Sequence, residues 1–162
     1  MEAPHEIRTI WSIGSSTRPL GELVALLERY GVTTLADVRM FPYSRRFPHF
    51  SKSSLEATMP LKSLRYVYLG KELGGFRRGG FGAYTQTAEF ARGIEALEAA
   101  ARDMRTAFMC CERLPSKCHR RFIASALERR GWSVIHIIEK DVTWPAHHPP
   151  HTSHQPPITG KS

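Results

Sequence analysis

Five short runs rich in β-branched and aromatic residues alternate with four stretches whose apolar residues recur at helical spacing, and that alternation restricts the chain to an α/β fold. The extended runs are Arg8 to Ile13, Thr33 to Val38, Leu64 to Leu69, Thr106 to Cys111 and Ser133 to Ile138. Between the first two, Pro19 opens a helical pattern carried by Leu20, Leu23, Val24 and Leu27 and stopped at Gly31. Ser53 with Glu56 three residues on predicts a capping box for a short helix limited by Pro60. Thr87 caps a stripe of Phe90, Ile94, Leu97 and Ala101, and Ser116 is expected to cap a helix bearing Phe122, Ile123, Ala126 and Leu127 that Gly131 closes. Helical crossovers join parallel strands, so the expected architecture is a three-layer α/β/α sandwich around a five-stranded, mostly parallel sheet.

At 162 residues and 41% hydrophobic, the chain has enough apolar surface for one core and too little length for a second sizeable domain. Residues 1–140 are expected to form the domain. From Asp141 onward five of eleven prolines and four of eight histidines (His147, His148, His151, His154) gather with little to bury, which predicts a disordered tail over 141–162. No apolar run reaches the length of a membrane span, and the opening MEAPHEIRTI lacks the basic start and apolar stretch of a secretory signal. A cytoplasmic protein with no membrane partner is expected. Its three cysteines, an odd number, read as reduced thiols rather than a disulfide framework.

The net charge of +8 favours an anionic small molecule or nucleic acid as partner. Between Arg39 and Gly82 nine basic residues face only Glu56 and Glu72, and the same segment carries Phe41, Tyr43, Phe47, Phe50, Tyr66, Tyr68, Phe76 and Phe81. Cations interleaved with rings suit single-stranded nucleic acid, which needs its phosphates neutralised and its bases stacked.

In open parallel sheets, ligands bind outside the carboxyl ends of the strands. Four polar or glycine-rich clusters fall there: Gly14-Ser15-Ser16, Asp37-Val38-Arg39, Gly70 to Gly75, and Cys110-Cys111-Glu112. The expected site therefore uses Arg39, Arg45 and Arg120 to hold an anion, with Gly14, Ser15, Ser16, Gly74 and Gly75 letting backbone approach it. Glu112 and His119 would move protons, Cys110 or Cys118 would be nucleophile or pocket wall, and the buried carboxylate of Asp37 would pair with Arg39 or Arg120. With Ser116 as cap, Cys118 and His119 would occupy the first helical turn, where free amides and the helix dipole lower a thiol's pKa. A zinc site of Cys111, Cys118 and His119 lacks a second ligand pair, so no metal site is expected, and no cofactor is named by the sequence.

These residues resemble the bacterial family known as domain of unknown function 488. The resemblance rests on Ser12-Ile13-Gly14-Ser15-Ser16, Asp37-Val38-Arg39 with Pro42 and Ser44-Arg45-Arg46, Tyr66 through Leu73-Gly74-Gly75, Tyr84, and Cys110 with Glu112 leading to Cys118-His119-Arg120. It adds Ser44 and Tyr84 to the candidate substrate-binding residues. The family usually has His where this chain has Ser15, and often His where it has Tyr68. A looser similarity is to rhodanese-like domains, which place an Asp-Val-Arg after one strand and a Cys loop running into an Arg-bearing helix after another. The leading expectation is an enzyme acting on a phosphorylated, nucleotide-like or nucleic-acid substrate. A non-catalytic nucleic-acid-binding module and a rhodanese-like thiol or sulfur-transfer enzyme are the alternatives.

Overall fold

The structure, a computed structural model, describes residues 7–146. Its strands are β1 (Arg8–Gly14), β2 (Thr34–Asp37), β3 (Arg65–Tyr68), β4 (Thr106–Cys110), β5 (Trp132–Glu139) and β6 (Val142–Pro145). Helices α1 (Leu20–Arg29), α2 (Lys52–Thr58), α3 (Gly70–Leu73), α4 (Phe81–Tyr84), α5 (Ala88–Asp103) and α6 (Arg120–Arg129) connect them. The sheet order is β3-β2-β4-β1-β5-β6. The first five strands run parallel, and β6 returns antiparallel on β5.

All five residues of β4 are buried, as a central parallel strand covered on both faces requires. Its alternate residues feed two separate cores. Phe108 and Cys110 pack with Leu73, Phe90, Ile94, Leu97, Ile123 and Leu127 from α3, α5 and α6. Ala107 and Met109 pack with Leu23, Leu27, Leu55 and Met59 from α1 and α2. These are the two outer layers of the sandwich. Because α1 lies on one face and α6 on the other, the adjacent strands β1 and β4 send their following chain to opposite sides of the sheet. A crevice opens where they part.

Three expectations change. A sixth strand, Val142–Pro145, extends the sheet past residue 140. It is an edge strand with all four residues exposed, so its pairing is by backbone and leaves almost no apolar signature. Residues 147–162, with the four tail histidines, lie outside the described residues. The Ser53–Glu56 capping box does not form, because α2 begins two residues earlier than that box requires, with Ser51 at the N-cap position. Ser116 caps nothing: Pro115–Lys117 form a separate 3-10 turn, and α6 starts at Arg120 with His119 as its N-cap. Thr87 does cap α5, its hydroxyl accepting from Phe90 N at 3.2 Å. Among the described residues no helix is long and apolar enough to cross a membrane.

Candidate active site

The crevice at the carboxyl ends of β1, β2 and β4 is a pocket of about 460 Å³. Gly14 makes it possible: a Cβ there would fall 2.0 Å from the carbonyl oxygen of Glu112, so only glycine lets the β1 and β4 loops close-pack. Gly70 does the same against the Arg39 carbonyl at 1.9 Å, drawing the loop after β3 onto the end of β2.

On the pocket floor Cys110, Cys118 and His119 converge. His119 Nδ1 lies 3.6 Å from Cys118 Sγ and 3.9 Å from Cys110 Sγ, while its Nε2 lies 2.9 Å from the Val38 carbonyl oxygen. A carbonyl only accepts, so Nε2 carries the proton and Nδ1 is the nitrogen facing the thiols. Thiol, imidazole and a third group that orients the imidazole form the arrangement that activates a nucleophile. Cys118 Sγ also accepts from the backbone N–H of Arg120 at 3.4 Å, the first residue of α6. The thiol thus sits just ahead of the helix rather than in its first turn.

The charges around this floor are built into the fold. Arg120 is fully buried, yet its partners are the Ser12 hydroxyl at 3.1 Å and the carbonyls of Glu112 and Arg113, and its Nε has no partner. No carboxylate pairs with it among the described residues. A buried guanidinium favours negative charge nearby, and its field adds to the groups that lower the Cys118 thiol. Cys118 is accordingly held well below the ordinary thiol range, first by hydrogen bonding from the Cys110 thiol and, against its burial, by His119 and the charge of Arg120. Cys110, the donor, is pushed up and stays protonated. Behind Ser12, His136 Nδ1 is hydrogen-bonded to the serine hydroxyl, and burial, with help from the Arg120 charge, lowers its pKa to about 4.

Of the expected site residues, Ser15, Ser16, Arg39, Ser44, Gly75, Cys110, Glu112, Cys118 and His119 line the pocket. Gly14, Asp37, Arg45, Gly74, Tyr84 and Arg120 do not. Of the expected anion holders, Arg39 and Arg120 have partners within the fold, and Arg45 is exposed outside the pocket. Asp37 is fully buried and receives Arg39 Nε at 2.8 Å, Arg39 Nη2 at 2.7 Å and Tyr66 Oη, and Arg39 also donates to the Phe50 carbonyl. The amides of Ser15 and Ser16 donate to the carbonyls of Cys110 and Cys111, both at 2.8 Å, so the backbone N–H groups of this turn are already paired. Gly74 packs on Gly70 and Met40, Ser44 Oγ accepts from Phe47 N at 2.8 Å, and Tyr84 donates to the Glu72 carbonyl at 2.6 Å under the stacked guanidinium of Arg77. Tyr68 donates to the Met40 carbonyl at 3.1 Å and stays outside the pocket.

The walls are aromatic instead. Phe81 lies 5.2 Å from the His119 ring, and at the rim Phe41 and Phe76 pair at 5.8 Å while remaining 64% and 87% exposed. Phe76 holds this position with φ of +61°, a left-handed conformation that a bulky side chain rarely adopts. Sequence reasoning marked these rings only as part of a basic aromatic segment. It missed the Val38 carbonyl and the Ser12–His136 pair, which face each other only through the β1–β5 register.

Together these features define a doubly wound α/β domain with a thiol–imidazole cluster at its switch-point crevice. The chain belongs to the family described as Domain of unknown function DUF488, whose model matches residues 19–127, from the start of α1 through most of α6. No curated protein and no solved structure matches it.

Proposed function

We propose that the chain is an enzyme whose nucleophile is Cys118, with His119 as its proton carrier, acting on a planar, nucleotide-like substrate. The observation that carries this reading is the line from Cys118 Sγ to His119 Nδ1, 3.6 Å, and from His119 Nε2 to the Val38 carbonyl, 2.9 Å, at the floor of an aromatic-walled pocket. Phe41, Phe76 and Phe81 offer faces on which a flat ring stacks, and Lys117 at the pocket edge supplies a cation for a phosphate. Cys118 Sγ would bond to an electrophilic atom of the substrate as the bond to its leaving group breaks, and the leaving group would take the proton on His119 Nδ1. Water, deprotonated by the same nitrogen, would then release the bound group and restore the thiolate. Arg39, Arg120 and Asp37, bonded to one another's surroundings inside the fold, act in this reading as supports.

The test is thiol alkylation at neutral pH, mapped by mass spectrometry. Cys118 should react with iodoacetamide at least tenfold faster than Cys111 despite its deeper burial, and His119→Gln should remove most of that excess. Equal rates at the three cysteines would overturn the reading. The exposed Phe41 and Phe76 beside a basic segment favour a second reading, a nucleic-acid-binding module; it calls for oligonucleotide affinity that falls steeply with salt and survives Cys118→Ser.

A further inference from the structure

The same three atoms satisfy a second chemistry. Cys110 Sγ, Cys118 Sγ and His119 Nδ1 all lie within 4.8 Å of one another, with the nitrogen 3.9 and 3.6 Å from the two sulfurs. A tetrahedral zinc ion, about 2.3 Å from sulfur and about 2.0 Å from nitrogen, spaces a sulfur and a nitrogen about 3.5 Å apart and two sulfurs about 3.8 Å apart. The two nitrogen–sulfur distances, 3.6 and 3.9 Å, match that edge within about 0.4 Å, and the sulfurs lie within 4.8 Å of each other, close enough for a small adjustment to seat the ion. The far side of the imidazole is prepared as well: a metal-bound histidine donates its other N–H to a carbonyl or carboxylate, which fixes the tautomer and aims the ligand nitrogen, and His119 Nε2 makes that bond to Val38. All three residues line the pocket, so a fourth coordination position opens toward it. Cys111, the partner that sequence spacing suggested, is exposed and is not part of the cluster.

We infer that Cys110, Cys118 and His119 form a three-ligand site for a soft divalent ion, zinc first, whose binding caps the Cys118 nucleophile. The capping half of this inference rests on the nucleophile reading; the metal site itself rests only on the geometry. On binding, the ion takes the Cys118 thiolate, His119 Nδ1 and the Cys110 sulfur, and the protons on His119 Nδ1 and on the Cys110 thiol are both released to solvent, leaving a neutral imidazole and two thiolates against a +2 ion. Soft sulfur ligands favour zinc over magnesium or calcium.

The test uses the full reduced chain titrated with Co(II) and then Zn(II). One equivalent of cobalt should give the visible bands of a tetrahedral ion and a thiolate-to-cobalt charge-transfer band, both displaced by zinc, unchanged by millimolar magnesium and lost in Cys110→Ser and in His119→Gln. The charge-transfer band separates this site from the tail histidines, which offer nitrogen alone. One equivalent of zinc should slow alkylation of Cys118 at least tenfold. Absence of the band, or its persistence in a Cys110→Ser variant that keeps the wild-type circular dichroism, overturns the metal site. Fast alkylation of the metal-free protein with no cobalt band would leave the nucleophile reading standing and remove this one. A cobalt band on a protein whose metal-free Cys118 alkylates at an ordinary rate would keep the ion and remove the capping role.

Discussion

His136 should make the fold acid-sensitive in a measurable window. The imidazole is 4% exposed, is hydrogen-bonded to the Ser12 hydroxyl at Nδ1, and lies near the buried Arg120 charge, so the folded protein holds it neutral. Its pKa is lowered to about 4, first by burial and then by Arg120, with the Cys118 charge opposing, against about 6.5 in an unfolded chain. A depressed histidine pKa means that the unfolded state binds the proton more readily. The stability it contributes is therefore complete above about pH 6.5 and is lost as pH falls toward 4. Each pKa unit corresponds to about 1.4 kcal/mol, so about 2 kcal/mol disappears between pH 7.5 and pH 5, and about 3.4 kcal/mol once the folded imidazole also titrates. Urea unfolding at pH 7.5 and pH 5 measures this directly. His136→Asn keeps an acceptor where Nδ1 stands and removes the titration. Its loss between the two pH values should be about 2 kcal/mol smaller than that of the wild type, because every carboxylate titrates alike in both proteins. Equal losses in the two proteins would refute the argument.

Two further perturbations separate support from chemistry. Asp37→Asn strips the charge that balances the buried Arg39 and weakens the bond from Tyr66, and it should cost about 3 kcal/mol in chemical unfolding; the alkylation rate of Cys118 in the folded protein should stay within threefold of wild type, and a larger fall would return Asp37 to the chemistry. Phe76→Gly relieves the positive φ and should stabilise the fold by about 1 kcal/mol, or about 3 °C in Tm, while weakening the binding of a nucleotide that stacks at the rim by about tenfold. A Tm below wild type would contradict the strain argument, and an unchanged affinity would contradict the stacking.

The sheet was legible because its strands are short runs rich in β-branched and aromatic residues that alternate with helical patterns, even though Ser12, Asp37 and His136 interrupt the apolar character of β1, β2 and β5. β6 was not, since an exposed edge strand held by backbone pairing has no pattern to read. The location of the crevice followed from topology alone. Its composition did not. Sequence shows that Arg39 and Arg120 are cations near the strand ends, but whether a guanidinium points at solvent or at Asp37 is decided by register and loop path. The glycines misled in the same way: Gly14 and Gly74 sit where substrate-binding glycines sit, yet the atoms that crowd them belong to the Glu112 carbonyl and to Gly70 and Met40. Cys118 and His119 do meet at the pocket floor, although not for the reason expected: the first turn of a helix capped by Ser116 is displaced by the Pro115–Lys117 turn.

Arg120 links the two halves of this molecule. A guanidinium with no exposed surface and an unpartnered Nε is a costly element for a core, and three neutral oxygens offset only part of that cost. The remaining compensation has to come from negative charge, and the residue's own backbone N–H already meets Cys118 Sγ. A thiolate there stabilises the buried cation, and the buried cation stabilises the thiolate, so the charge state of the pocket floor is set by the packing of α6 against β1. His136 is held neutral first by its burial and then by the Arg120 charge beside it. On the nucleophile reading proposed above, the reactive form of the sulfur would belong to the resting structure rather than being something a substrate must induce.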